Sequence, residues 1–222
     1  MLEGEGVRSM TALFLQMWCI LCQPEFEQFL SDPIPAAANA KGFVVPYGDC
    51  PLDGERVGEM VYMDMLNRAR KYVHIITPYL ILDDKMTTAL CVAAKTGVDV
   101  RIITPAIPDK WYVHAVTRAN YEELTRAGVR IYEYTPGFIH SKVYLADSVQ
   151  AVVGTVNLDY RGLFLNFENA VYLCRHPAVA AIRADFEETL ALCRPITEKT
   201  YKGYNLFKRM AGRVMRLFAP LV

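Results

Sequence analysis

Three β-branched runs constrain this chain more than any other feature. "YVHIITPY" (72–79), "GVDVRIITP" (97–105) and "GVRIYEY" (128–134) are separated by stretches of helical periodicity over 84–96 and 111–127, and another over 56–70 precedes the first run. Val, Ile and Tyr favour extended backbone because they pack well on a pleated surface. The runs are nearly continuous rather than alternating, as happens when a strand is covered on both faces. Gly97 and Gly128 stand where the two helices must end, in the left-handed conformation that other residues avoid. Strands alternating with helices of this length dictate an α/β layered domain with a largely parallel or mixed buried sheet. With 53% of its 222 residues apolar, the chain can bury such a core.

The alternation stops after residue 134. "SKVYLAD" and "QAVVGT" are apolar runs joined by a short polar turn, which predicts a hairpin. A third strand over 169–174 follows, then a helix over 178–193 with Val179, Ile182, Phe186 and Leu190 on one face. At the other end, Met10, Leu13, Phe14, Met17, Trp18 and Leu21 recur at helical spacing, and "SDPIPAAANAKGFVVP" reads as a linker because its prolines break any helix. The chain thus divides into an N-terminal helical region (1–30), a linker (31–46), a main domain (47–200) and a basic amphipathic helix (201–222). That last stretch holds five basic residues and no acidic one, which suits either an anionic membrane surface or packing on its own domain.

Charge narrows the partners. Lys plus Arg and Asp plus Glu both number 24, so nothing in the overall balance favours nucleic acid. Six cysteines lie in apolar stretches, and the C-x-x-C of Cys19 and Cys22 has no second pair, which reads as core thiols. No run reaches the roughly 20 apolar residues of a membrane span. Glu3 and Glu5 make the leading segment acidic, against a signal peptide.

The chemistry concentrates in "FIHSKVYLADSVQAVVGTVNLDYRGLFLNFEN" (138–169). Read as a strand, this segment would project His140 and Lys142 from one face, since side chains at i and i+2 point the same way. Asp147 would end that strand, the hairpin would return Thr155 and Asn157 alongside, and Glu168 would enter from the next segment. Such a set suits attack on a phosphodiester. A neutral imidazole is a good nucleophile toward phosphorus, while a lysine with hydroxyl and amide donors holds the nonbridging oxygens. A carboxylate on the other ring nitrogen would stabilise the imidazolium, and neither a metal nor another cofactor is required. The remaining histidines, His74, His114 and His176, lie outside any such motif and read as structural.

"HSKVYLAD…GTVN" resembles the HKD motif of the phospholipase D superfamily, meeting the pattern H-x-K-x4-D-x6-G-[ST]-x-N at every fixed position. "TPYLILDD", "GVDVRIITPAIPDK", "AGVRIYEYTPGFIHSK" and "GTVNLDYRGLFLNFEN" look more narrowly like the C-terminal half of bacterial cardiolipin synthases, over about residues 43 to 195. "GEGVRSMTALFLQMWCI" is similar to the end of a first half of such an enzyme, and the basic tail resembles theirs. Gly162 departs from the serine usual after D-x-R. The resemblance implies a phospholipase D-like layered domain, a mixed sheet with helices on both faces, and phosphatidyl transfer through a phosphohistidine. In cardiolipin synthases two phosphatidylglycerols are joined and glycerol is released. By the same resemblance His140 is nucleophile or general acid, Lys142, Thr155, Asn157 and Tyr79 serve the substrate, Asp147 orients the motif, and Glu168 sits behind the imidazole.

In-line displacement at phosphorus puts incoming and outgoing groups on opposite sides, so one imidazole cannot both attack and protonate the leaving oxygen in one step. The expectation is therefore half an active site, completed by a second HKD half or a homodimer partner. Phosphatidylglycerol and an anionic membrane surface are the partners this implies, with the chain peripheral on, or associated with, the bacterial inner membrane. Two other readings are a single-motif nuclease acting as a homodimer and a catalytically silent membrane-binding half.

Overall fold

The computed structural model describes residues 2–20, 26–30, 41–204, 210, 212 and 214–216. In chain order these form α1 (Gly6–Trp18), α2 (Phe26–Leu30), β1 (Phe43–Asp49), α3 (Val57–Arg68), β2 (Tyr72–Ile76), α4 (Asp84–Lys95), β3 (Asp99–Pro105) and α5 (Trp111–Arg126). There follow β4 (Arg130–Tyr134), β5 (Val143–Ala146), β6 (Gln150–Gly154), α6 (Tyr160–Phe164), β7 (Glu168–Cys174), α7 (Ala178–Ala191), β8 (Cys193–Ile196) and α8 (Glu198–Lys202). The strands make one mixed sheet in the order β1-β7-β6-β5-β2-β3-β4-β8. β2, β3 and β4 are parallel, joined through α4 and α5, and the other pairings are antiparallel.

Alternation along β2 decides how the layers stack. All five of its residues are buried. Val73 and Ile75 face Tyr62 and Met65 of α3, Met86 and Leu90 of α4, and Leu124 of α5. Tyr72 and Ile76 face the opposite way, onto Val179 and Phe186 of α7. Helices thus cover both faces of the sheet. Phe186 is fully buried, and removing such a side chain from water contributes roughly 1.5–3 kcal/mol. His74 shares its face, buried between Tyr72 and Phe186 at ring-centroid distances of 4.3 and 4.6 Å. Burial, then the Arg101 charge, pushes its pKa down to about 4, so it packs as a neutral ring.

The linker expected over 31–46 ends sooner. Phe43–Asp49 is an edge strand whose seven residues pair with β7 from Phe43↔Cys174 to Asp49↔Glu168. Residues 31–40 and Cys22 lie outside the described residues. In the basic stretch, Lys208, Arg209 and Arg213 do too, but several of its other residues pack on the domain. Met215 joins a cluster with Ile81, Val113 and Val116, and Arg216 Nη1 lies 3.0 Å from Glu123 Oε2. Met210 and Val214 stay exposed.

Candidate active site

β5 runs antiparallel to β2, so the segment entering β5 lies at the carboxyl ends of β2, β3 and β4. β6 leaves the sheet at that same edge and β7 begins there. This edge is where strand direction switches, the place where α/β sheets leave a crevice between diverging connections. His140, Lys142, Thr155, Asn157 and Glu168 meet there, lining one cleft of about 800 Å³.

They do not meet through the pleat of one strand. β5 starts at Val143, so His140 and Lys142 precede it. Lys142 Nζ donates to the His140 carbonyl at 2.8 Å, which binds the two residues into one loop. The lysine is buried and the imidazole is exposed. Partial desolvation against the cleft wall, then the Lys142 charge, holds the His140 pKa below its ordinary value, with Asp109 opposing. Neutral imidazole, the form that can attack phosphorus, is thereby favoured.

Around His140 stand rings. Phe138 lies 5.4 Å away by centroid, and Tyr79 meets the imidazole edge-on at 6.3 Å and 75°. The Tyr79 hydroxyl, expected to serve substrate, donates to Asp109 Oδ2 at 2.6 Å. Tyr79 contributes a wall rather than a free donor. Asp109, from the loop after β3, was not singled out in the sequence.

Glu168 is buried at the first position of β7. It was expected behind the imidazole. Its Oε1 accepts from Asn166 Nδ2 at 3.1 Å, and its charge acts on Lys142 and Asp159, which places it on the lysine side of the cleft. Burial pushes the Lys142 ammonium down while Glu168 and Asp159 support its charge. Asp159 is a second residue that the motif did not flag. It is buried, caps α6 by accepting from the Gly162 N–H at 2.6 Å, and is held above the usual carboxylate range by burial.

Asn157 keeps a buried Oδ1 with no hydrogen-bond partner among the described residues. Gly162 packs directly on it, since an added Cβ would fall 2.8 Å from the Asn157 nitrogen, so any side chain there presses on this turn. Thr155 is already committed: its hydroxyl accepts from the Asn169 N–H at 3.0 Å and lies 3.2 Å from the Asn169 carbonyl. It ties the ends of β6 and β7 together.

Asp147, grouped with the catalytic residues in the sequence, belongs elsewhere. It lies five positions after Lys142, roughly 16 Å along an extended strand. It sits at the opposite edge of the sheet, where its carboxylate accepts from the backbone N–H groups of Arg70, Lys71 and Tyr72 at 2.7–2.9 Å. With φ of 53° and 57°, Asp147 and Ser148 form the tight hairpin turn that suits the right-handed twist of strands. The motif aspartate therefore aligns β5 with β2 and acts on the site only through the strand. Burial raises its pKa, but the Tyr72, Arg70 and Lys71 amides outweigh that and leave it low. A depressed carboxyl stabilises the fold above its unfolded value and ceases to do so as pH falls through the folded one. Asp147→Ala should therefore cost about 2 kcal/mol in urea unfolding at neutral pH, with the deficit narrowing under acid. A deficit independent of pH would remove the charge from this account.

The remaining histidines are committed to the fold. His114 is buried 3.9 Å from Glu133, and His176 Nδ1 accepts the Ala178 N–H at 3.1 Å. The cleft thus brings one imidazole beside a buried ammonium and an unpaired amide oxygen.

A sheet of this topology, with a histidine and a lysine entering β5 and the matching aspartate at its far end, defines a domain of the phospholipase D type. The chain belongs to the family described as cardiolipin synthase, PLD-like domain, whose model matches residues 62–190. A cardiolipin synthase of Geobacillus sp. is 35% identical over 223 residues, covering 100% of this chain and 44% of that protein. Among solved structures, phosphatidylserine synthase of Haemophilus influenzae superposes with a TM-score of 0.62 at 15% identity, over 90% of this chain and 54% of that one. Nuc of Salmonella typhimurium, a phospholipase D family member, gives 0.60 at 18% identity, over 71% of this chain and all of that one. These two show the fold. The chain spans 43–48% of the length of the curated relatives it matches.

Proposed function

We propose that this chain supplies one of the two half-sites of a phosphatidyl-transferring enzyme of the cardiolipin synthase kind. The observation that carries the reading is the cleft's content: a single exposed imidazole favoured in its neutral form, beside a buried lysine. His140 attacks the phosphorus of a phosphatidylglycerol and forms a phosphohistidine. The bond from phosphorus to the glycerol headgroup oxygen breaks, and a second imidazole, from another HKD half or another copy of the chain, protonates that oxygen. The hydroxyl of a second phosphatidylglycerol then takes the phosphatidyl group, its proton passing to the second imidazole. Lys142 offsets the charge on the nonbridging oxygens while the Asn157 amide and the turn around it position them. The enzyme works at an anionic membrane surface and takes no nucleic acid. Among the described residues no helix is long and apolar enough to cross a membrane.

Solution mass measured together with transfer from headgroup-labelled phosphatidylglycerol tests this. Turnover is expected only in an assembly that holds two histidines of this type. A monomer of this chain that transfers at full rate alone would overturn the half-site reading.

A further inference from the structure

The cleft at His140 is larger than a phosphate needs, and one end of it is apolar. α7 covers its face of the sheet through Val179 and Phe186, yet Val153, on an inner strand, stays 39% exposed. Val153 pairs with Val143 across β5 and β6, and both line the cleft together with Ala181 and Ile182 of α7. Among the described residues, nothing covers the exposed part of this β-branched side chain. The same cleft continues without a break to Lys142 and Asn157. Asp185 also lines the α7 side, so the groove offers a cation at one end and, at the other, an aliphatic strip edged by one carboxylate, which complements an anionic phosphate joined to hydrocarbon.

We infer that the aliphatic end, between β5–β6 and α7, holds the first methylenes of an acyl chain of the lipid whose phosphate lies at His140. This rests on the function proposed above and adds to it the residues that select lipid over water-soluble diesters. The headgroup alcohol leaves on the side of phosphorus opposite His140, toward the second imidazole. Chain length, rather than headgroup, is what Val143, Val153, Ala181 and Ile182 read.

The test compares kcat/KM for dioctanoyl and dibutanoyl phosphatidylglycerol, both kept monomeric, in the active assembly. Each methylene that the groove covers should raise the wild-type value by about fourfold. Ala181→Trp fills the groove and Val153→Ser removes its apolar floor, and each should lower the dioctanoyl-to-dibutanoyl ratio by at least tenfold. Taking a ratio cancels any general loss of folded enzyme. A ratio within twofold of wild type in both variants overturns the inference and leaves the transfer reading standing. Loss of assembly mass on Ala181→Trp would also overturn it, showing the groove to be covered by protein. A wild-type assembly that turns over neither lipid sinks this inference and the parent reading together.

Discussion

His140→Ala is expected to lower phosphatidyl transfer by on the order of 10³-fold or more, because the variant has no group to carry the phosphatidyl intermediate. The ring is exposed and touches Phe138 and Tyr79 only at the cleft wall, so the melting temperature should be unchanged within error. The pH profile separates its two possible roles. A nucleophile must be neutral, so His140 would set the acid limb of kcat/KM, and that limb should lie below the ordinary histidine value of about 6.5. Lys142→Met removes the second-largest cause of that depression and leaves burial in place. The imidazole followed by NMR titration should then move part of the way back up. Transfer retained within tenfold in His140→Ala would remove this residue from the chemistry, and a wild-type alkaline limb assigned to His140 would make it the proton donor.

The main domain was legible wherever strands are buried on both faces, since continuous β-branched runs cannot sit elsewhere in a layered domain. The two strands missing from the sequence reading are the two edges. β1 contains Pro46 and Gly48, β8 contains Pro195, and both read as breakers. An edge strand pairs along one side only, so a proline there loses nothing if its missing N–H faces outward, and such strands need no apolar run. The site was legible in its members rather than in its geometry. H-x-K spacing suggested a shared strand face, whereas the residues lie before β5 and are joined through the His140 carbonyl. The x4 spacing to Asp147 already implied a full strand length between lysine and aspartate, which puts them at opposite edges of the sheet. Asp109 lies in no motif, and Asp159 reads only as the start of D-x-R. One reaches the imidazole through tertiary folding of the loop after β3, and the other reads locally as an ordinary helix cap.

The largest single effect on stability should come from Glu133, a residue remote in sequence from every motif. It is fully buried on β4, where its carboxylate accepts from Arg118 at 2.9 and 3.1 Å and from Arg194 at 2.5 and 3.0 Å, with Tyr121 at 3.3 Å. Arg194 is its cross-strand partner in the β4–β8 pair, and Arg118 comes from α5 and stacks on Tyr204 at 4.5 Å. One carboxylate thus joins an edge strand, a helix and the residues after α8. Burial pushes Glu133 up, but the Arg118 hydrogen bonds and charge, then those of Arg194, outweigh it and hold it below the usual range. Glu133→Ala leaves the partly buried Arg118 guanidinium without its counter-charge, while Arg194, 51% exposed, can turn to water. Discounted for the exposure of Arg194, the expected cost is about 2–3 kcal/mol, seen as a fall of roughly 5–10 °C in melting temperature and faster amide exchange in β8. Because the folded pKa is depressed, the stabilisation is present above the unfolded glutamate value and fades as pH falls through the folded one, so wild type and variant should converge in acid. A loss under 1 kcal/mol at neutral pH would mean that water or a shift of β8 satisfies both arginines as well as the carboxylate does, and that the edge strand is held by its backbone pairing alone.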